Sequence, residues 1–267
     1  MNDATLRPRT ASELVDAAVR ILRQHYGSFV VVSALAAVPG LLANIAMFAS
    51  AGWGSDLQAL ATQDPFSGQR LGIMLLGFVT YAIAEGVYVR LTADAYHGAP
   101  TSAMEALGDV ASRLPAAAIG QLLRFLAVAV ASVFLVVPGL IVLVRTSVAA
   151  QGSVLEGEGP LGGIGRSWAL TKGSFWRVLG GIGLAWLLLF VVMFGIQMVV
   201  GIVAAVAAGQ KAFLLATVVL GSLGSVLIYP LVPIVTTLMY YDLRVRREGL
   251  DLELMADDLA AAAPAPL

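Results

Sequence analysis

The stretch "RFLAVAVASVFLVVPGLIVLVRTSVAAQGSVL", residues 124–155, decides how this chain folds. A hydrocarbon core of about 30 Å takes roughly 20 helical residues to cross. The apolar region that contains this stretch, 116–155, is too long for one straight passage. Pro138-Gly139 is a strong breaker pair. It predicts a tight turn between two helices, 116–137 and 139–155. A single kinked helix or a re-entrant hairpin is the competing reading. Four further apolar stretches, 29–49, 71–92, 178–207 and 212–241, reach or approach the spanning length. Six spans are therefore expected, against five for the kinked alternative.

The composition agrees with that class. The 267 residues are 59% hydrophobic and only 12% charged, with a mean hydropathy of +0.87. Soluble domains carry about 25% charged residues, so lipid rather than water is the expected solvent for most side chains. A net charge of −1 gives no basic surface for nucleic acid. The chain has no cysteine, so disulfides, thiolate metal ligands and a cysteine nucleophile are all excluded. Residues 1–29 are amphipathic and carry both charge signs before the first apolar run, unlike a secretory signal, so the first span is expected to stay in the mature protein.

Lysine and arginine placement sets the expected orientation. With six spans and a cytoplasmic N-terminus, 12 of the 16 basic residues fall on the cytoplasmic side, 2 on the other, and Arg124 and Arg145 lie within spans. Five spans would put the arginine-rich C-terminus outside. Both termini are thus expected in the cytoplasm.

Three cytoplasmic segments, about 11–27, 101–114 and 160–176, read as short interfacial helices that each lead into a span. In the first, Leu14, Ala17, Ala18, Ile21 and Leu22 make one apolar face and Ser12 is the expected N-cap. That face either lies among lipid headgroups or packs on the protein itself. "GSF" recurs at 27–29 and 173–175, and "VPGL" at 38–41 and 137–140. The pattern predicts an all-α membrane bundle of six transmembrane and three interfacial helices. It reads as a degenerate threefold repeat of interfacial helix plus hairpin within one domain, 1–250. Residues 251–267 are expected to be a disordered cytoplasmic tail.

No catalytic constellation emerges. His25 and His97 stand apart, HExxH and GxSxG are missing, and the glycine-rich "EGEGPLGGIGRS" (156–167) lacks the Lys-Ser/Thr of a phosphate loop. No cofactor or metal is expected. The informative residues are charges within the spans, which are costly and by default functional. Glu85 and Arg145 are expected to form an internal pair, and Arg124 to snorkel to the cytoplasmic interface. Asn44, Gln121, Gln151 and Gln197 are expected to add hydrogen bonds between helices. Pro230 and Pro233 are expected to kink the last span.

The last span runs into "MYYDLRVRREGLDLELM", residues 239–255. Tyr240 and Tyr241 suit an aromatic belt. Asp242–Arg246 and Arg244–Glu248 are i, i+4 pairs, and Gly249 suits a helix stop. Together they make a candidate cytoplasmic latch against the other interfacial helices.

This ending resembles the close of the bacterial glycerophosphoryl diester phosphodiesterase membrane-domain-like family. There a final span runs into a Tyr-Tyr-Asp-Leu-Arg-x-Arg-x-Glu-Gly-Leu/Phe-Asp segment. The middle, 136–180, is similar too, with its Pro-Gly, an arginine in the next span, Glu-Gly, Arg-Ser, Lys-Gly and Trp-Arg. The resemblance implies a membrane module of a bacterial inner membrane. It does not imply phosphodiesterase activity, since the separate catalytic barrel of some relatives needs about 250 residues of its own. Three functions stay open. The first is a non-enzymatic module that binds membrane lipid, another membrane protein or a second copy of itself, in envelope maintenance. The second is a transporter or channel that uses Glu85, Arg124 and Arg145. The third is a membrane-embedded lipid hydrolase, for which Glu85 and the Asp242 region are the only candidates.

Overall fold

The computed structural model describes residues 9–50, 67–99, 102–207 and 209–250; the expected tail, 251–267, lies outside them. Eleven helices and no strand occur among the described residues. They are α1 (Ala11–Gln24), α2 (Tyr26–Ser50), α3 (Gly68–His97), α4 (Ala103–Val110), α5 (Leu114–Phe134), α6 (Val136–Arg145), α7 (Ala149–Leu155), α8 (Pro160–Thr171), α9 (Phe175–Ala207), α10 (Gly209–Ile228) and α11 (Leu231–Glu248). Among the described residues, six candidate spans are long and apolar enough to cross a membrane: Tyr26–Ala46, Arg70–His97, Leu114–Phe134, Val136–Leu155, Phe175–Ile202 and Val219–Glu248. The protein is an all-α helical bundle of multi-pass membrane type.

The order short helix plus hairpin occurs three times, as α1 with α2–α3, α4 with α5–α7, and α8 with α9–α11. The two "GSF" copies fall near the joins α1–α2 and α8–α9 without holding the same place: residues 27–29 lie in the first turn of α2, whereas Gly173 forms the turn before α9. Nor do the two "VPGL" copies, because Pro39 lies inside the continuous helix α2 whereas Pro138 lies in the first turn of α6.

Each short helix is built by local chemistry. The Thr10 side chain accepts the Glu13 N–H while Glu13 Oε2 accepts the Thr10 N–H at 2.7 Å. This capping box makes Thr10 the N-cap of α1 instead of Ser12, because only Thr10 has a glutamate three residues on. Ser102 and Glu105 repeat the device on α4. The apolar face of α1 (Leu14, Val15, Ala17, Ala18, Leu22) is buried and packs on α11 and α9, so this helix docks on its own protein.

The turn in the deciding stretch falls at Leu135, not at Pro138-Gly139. Leu135 alone is extended (φ −165°, ψ 152°) between α5 and α6. A proline in the first turn of a helix costs no hydrogen bond, so Pro138 fits inside α6. Gly139 lets the two arms touch: a Cβ there would stand 2.1 Å from Ser132 Oγ. The expected span 139–155 is likewise not one helix, since it breaks at Thr146–Val148. Ser167 of α8 repairs the break by accepting the Val148 N–H at 3.2 Å and donating to the Arg145 carbonyl at 2.8 Å. The last span breaks at Tyr229-Pro230, with Pro233 accommodated early in α11.

The most inaccessible side chains gather at the end that carries the short helices: Leu14, Phe29, Tyr88, Val89, Leu170, Ile234, Met239, Tyr240 and Leu243. Large apolar residues toward the other end are exposed, among them Leu42, Leu75, Phe134, Phe194 and Val199.

Candidate functional site

Two neighbouring cavities lie among the spans. The first, about 140 Å³, is polar and is lined by Tyr81, Glu85, Arg124, Ser147, Trp186, Tyr229 and Thr236 among others. The second, about 210 Å³, is lined by small residues of α2, α3 and α10, including Ser33, Ala36, Gly40, Gly77, Ala84 and Ser225. Tyr81, Tyr88 and Tyr229 line both and form the partition between them.

The partition is held in place. Tyr88 shares a 2.8 Å hydrogen bond with Ser33, whose hydroxyl also bonds the Phe29 carbonyl at 3.0 Å. Tyr81 and Tyr229 meet edge to face at 6.3 Å. Gln121 donates to the Tyr81 hydroxyl at 3.3 Å and accepts from Arg124 at 3.2 Å. Tyr81 and Arg124 both act on Glu85. One polar chain thus runs from Arg124 through Gln121 and Tyr81 to Glu85.

This corrects the expected pairing. Arg124 faces Glu85 across the cavity and does not snorkel away. Arg145 is drawn elsewhere by the helix break, where its guanidinium lies 5.6 Å over the Trp168 ring of α8 and its carbonyl accepts from Ser167 and Thr171. Its Nη1 has no hydrogen-bond partner among the described residues. Gln151, completely buried, donates to Thr236 at 3.1 Å and Thr237 at 3.2 Å, joining α7 to α11 beside the cavity. Thr236, Tyr81 and Tyr229 carry no mark of cavity residues in the sequence, because hydroxyls in an apolar run look like ordinary helix residues. The packing of α3 against α11 and the break at Tyr229-Pro230 bring them together.

The candidate latch is a different place. Tyr240 and Tyr241 do not sit in an exposed belt; both are buried, and Tyr241 stacks on Tyr96 at 4.5 Å. Exposed tryptophans, Trp168 and Trp176, occupy the outer surface instead. The Asp242 carboxylate, 2% exposed, accepts from Arg177 and Arg246 at 3.0 Å each and from the Arg9 backbone N–H at 2.7 Å. It ties the segment before α1, the start of α9 and α11 to one carboxylate. Arg244 and Glu248 pair at 3.0 Å. Arg166 bridges Glu248 and Glu156, and Tyr240 donates to Glu156.

Comparison with protein-family models, characterised proteins and solved structures finds no match. What the chain does must therefore be argued from this geometry.

Burial alone would raise the Glu156 carboxyl, but hydrogen bonds from Arg166 and Tyr240, with the Arg166 and Arg244 charges, outweigh it and hold it below the ordinary range. A carboxyl lowered in the fold contributes stability above its unfolded pKa, about 4.3, and loses it as pH falls through the folded value. The unfolding midpoint in detergent is expected to be level from pH 7 to about 5 and to drop below about 4. Glu156→Gln should be lower at neutral pH and flatter in acid. A mutant curve parallel to wild type would refute this role.

Proposed function

We propose that the protein is a non-enzymatic module of a bacterial inner membrane that binds a lipid amphiphile in its paired cavities. The observation that carries this reading is the contrast between the two spaces. A slot walled by alanine, glycine and serine suits an apolar chain, and the Glu85–Arg124 cavity behind the tyrosines suits a polar group. An acid and a base on facing walls suit a polar end that offers both donors and acceptors, whether uncharged or zwitterionic. The polar cavity holds about four or five water volumes, enough for a hydroxyl, an amide or a small headgroup. The bacterial origin and the membrane follow from the family resemblance in the C-terminal segment. The cytoplasmic placement of both termini follows from the gathering of basic residues at the short-helix end. A second copy or another membrane protein remains the proposed partner for the exposed apolar flanks.

The test uses protein extracted with its surrounding lipid and analysed by native mass spectrometry. Gly77 lines the slot and has open space around it, so Gly77→Leu fills the slot without forcing a clash. Wild type is expected to retain one amphiphile per chain and Gly77→Leu to lose it by about tenfold, a change of about 1.4 kcal/mol. Equal retention by both would overturn the reading.

A transporter is the second reading. It is favoured by the two interrupted helices, α6–α7 and α10–α11, that wall the polar cavity, as in transporter substrate sites. Solute flux in proteoliposomes that Glu85→Gln abolishes would support it. A lipid hydrolase has less support, since Asp242 is locked among three partners and Glu85 belongs to the separate cavity.

A further inference from the structure

We infer that the α5–α6 hairpin is re-entrant: its tip turns within the hydrocarbon, and both arms enter from the side that carries the short helices. This rests on the membrane class alone and is independent of what the cavities bind.

Depth is the first ground. Helix α8 belongs to the short-helix layer and is bonded to the Arg145 carbonyl through Ser167. From Arg145 to Val136 is nine residues, about 14 Å of helix. On the other arm, a Cβ at Gly120 would stand 3.3 Å from the Pro160 carbonyl at the start of α8. From Gly120 to Phe134 is fourteen residues, about 21 Å. Both are short of a core of about 30 Å. The residues of the Val136–Leu155 candidate span that would make up the length are in α7, beside α8 and beyond the break. The other hairpins reach further from the same layer. Gly181 lies against Leu14 of α1, and from there α9 runs to Ala207 for about 39 Å. Gly86 lies against Val110 of α4, and α3 runs back from it to Gly68 for about 27 Å, close to the core thickness and about twice the α6 arm.

Chemistry is the second ground. Residues 125–144 contain no charge, and Ser132 is their only polar side chain. Its hydroxyl is used within the helix, donating to the Val128 carbonyl at 2.8 Å. The sequence at the other two hairpin ends is polar, with Asp56, Gln63 and Asp64 between α2 and α3 and Gln210-Lys211 at the start of α10. A turn designed for the far headgroup layer would look like those. This one exposes Val133, Phe134 and Val136, at 84%, 75% and 81%.

The backbone is the third ground. Each unpaired backbone group costs several kcal/mol in hydrocarbon, so a turn at that depth must be short. Here the turn is one residue, and the Leu135 N–H still reaches the Ala131 carbonyl at 3.4 Å. Pro138 has no N–H, and the Gly139 N–H bonds the Leu135 carbonyl at 3.4 Å. The Val136 and Val137 donors and the Ser132, Val133 and Phe134 carbonyls are the groups left without a helical partner.

The lack of native cysteine makes the test direct. Leu135→Cys, Val133→Cys and Gln210→Cys are each made in the full chain and reconstituted in sealed vesicles. Gln210→Cys should react with an impermeant maleimide from the side opposite the short helices. The two tip variants should react at least about tenfold more slowly from either side. Nitroxides at 133 and 135 should collide with oxygen more than with a water-soluble nickel complex. Two tip positions are used so that a fold defect in one does not leave the matter open. Labelling at either tip position from the far side at the Gln210→Cys rate, or nickel access equal to that at 210, would overturn the proposal.

Discussion

Exchanging Asp242 and Arg246, as the double variant Asp242→Arg with Arg246→Asp, is expected to lower the unfolding midpoint in detergent by roughly 10 °C. On an isolated helix the exchange restores an i, i+4 pair and costs only tenths of a kcal/mol. In this fold the Asp242 carboxylate also holds Arg177 and the Arg9 N–H, and an aspartate at 246 does not take over those contacts. Removing one partner of a buried, hydrogen-bonded ion pair costs about 3–5 kcal/mol. That is enough to separate the two ideas. Asp242→Asn alone should approach the same loss, because a neutral amide leaves two guanidinium groups without their counter-charge. If the exchanged protein melts within about 2 °C of wild type, Asp242 is only a helix-stabilising residue.

The second large effect is expected at the polar cavity. Glu85→Gln and Arg124→Gln should each destabilise the protein, and together by less than their sum, with a coupling of about 1–3 kcal/mol. The same cycle between Glu85 and Arg145→Gln should be additive to within about 0.5 kcal/mol, because Arg145 is engaged with Trp168. Thermal or chemical unfolding of the six proteins in one detergent measures both. Strong coupling of Glu85 to Arg145 with none to Arg124 would reverse the assignment of the buried pair.

The membrane class, the helical content and the three short helices were legible in the sequence because they depend on composition and period. Long apolar runs need no partner to be recognised. The capping glutamates Glu13 and Glu105 mark two helix starts by spacing alone. The hairpin was legible as a break and misplaced by three residues, since proline stops a helix in general yet fits its first turn. What the sequence could not disclose was register between distant segments. Arg124 and Arg145 are equally plausible partners for Glu85 until Ser167 is seen to engage the Arg145 carbonyl. That interaction joins residues 22 positions apart and leaves no periodic trace. Tyr240 and Tyr241 misled for a related reason. Aromatic residues at the end of a span usually meet headgroups, but here Tyr241 stacks on Tyr96 of α3 and Tyr240 reaches Glu156.

The uneven distribution of the core has a consequence for motion. Packing is dense where α1, α4 and α8 lock onto α3, α9 and α11, and sparse toward Leu42, Leu75 and Val199. Amide exchange should follow that gradient. The slowest exchangers belong to the α11 stretch from Ile234 to Leu243, which is buried throughout, and exchange should quicken along α2, α3, α9 and α10 with distance from it. If exchange follows that gradient, the short-helix end is the stiff part of the bundle and the far ends of α2, α3, α9 and α10 are the compliant staves. A guest between α2, α3 and α10 could then be admitted by local splaying of the staves, while the stiff end that sets the positions of Glu85 and Arg124 stays closed.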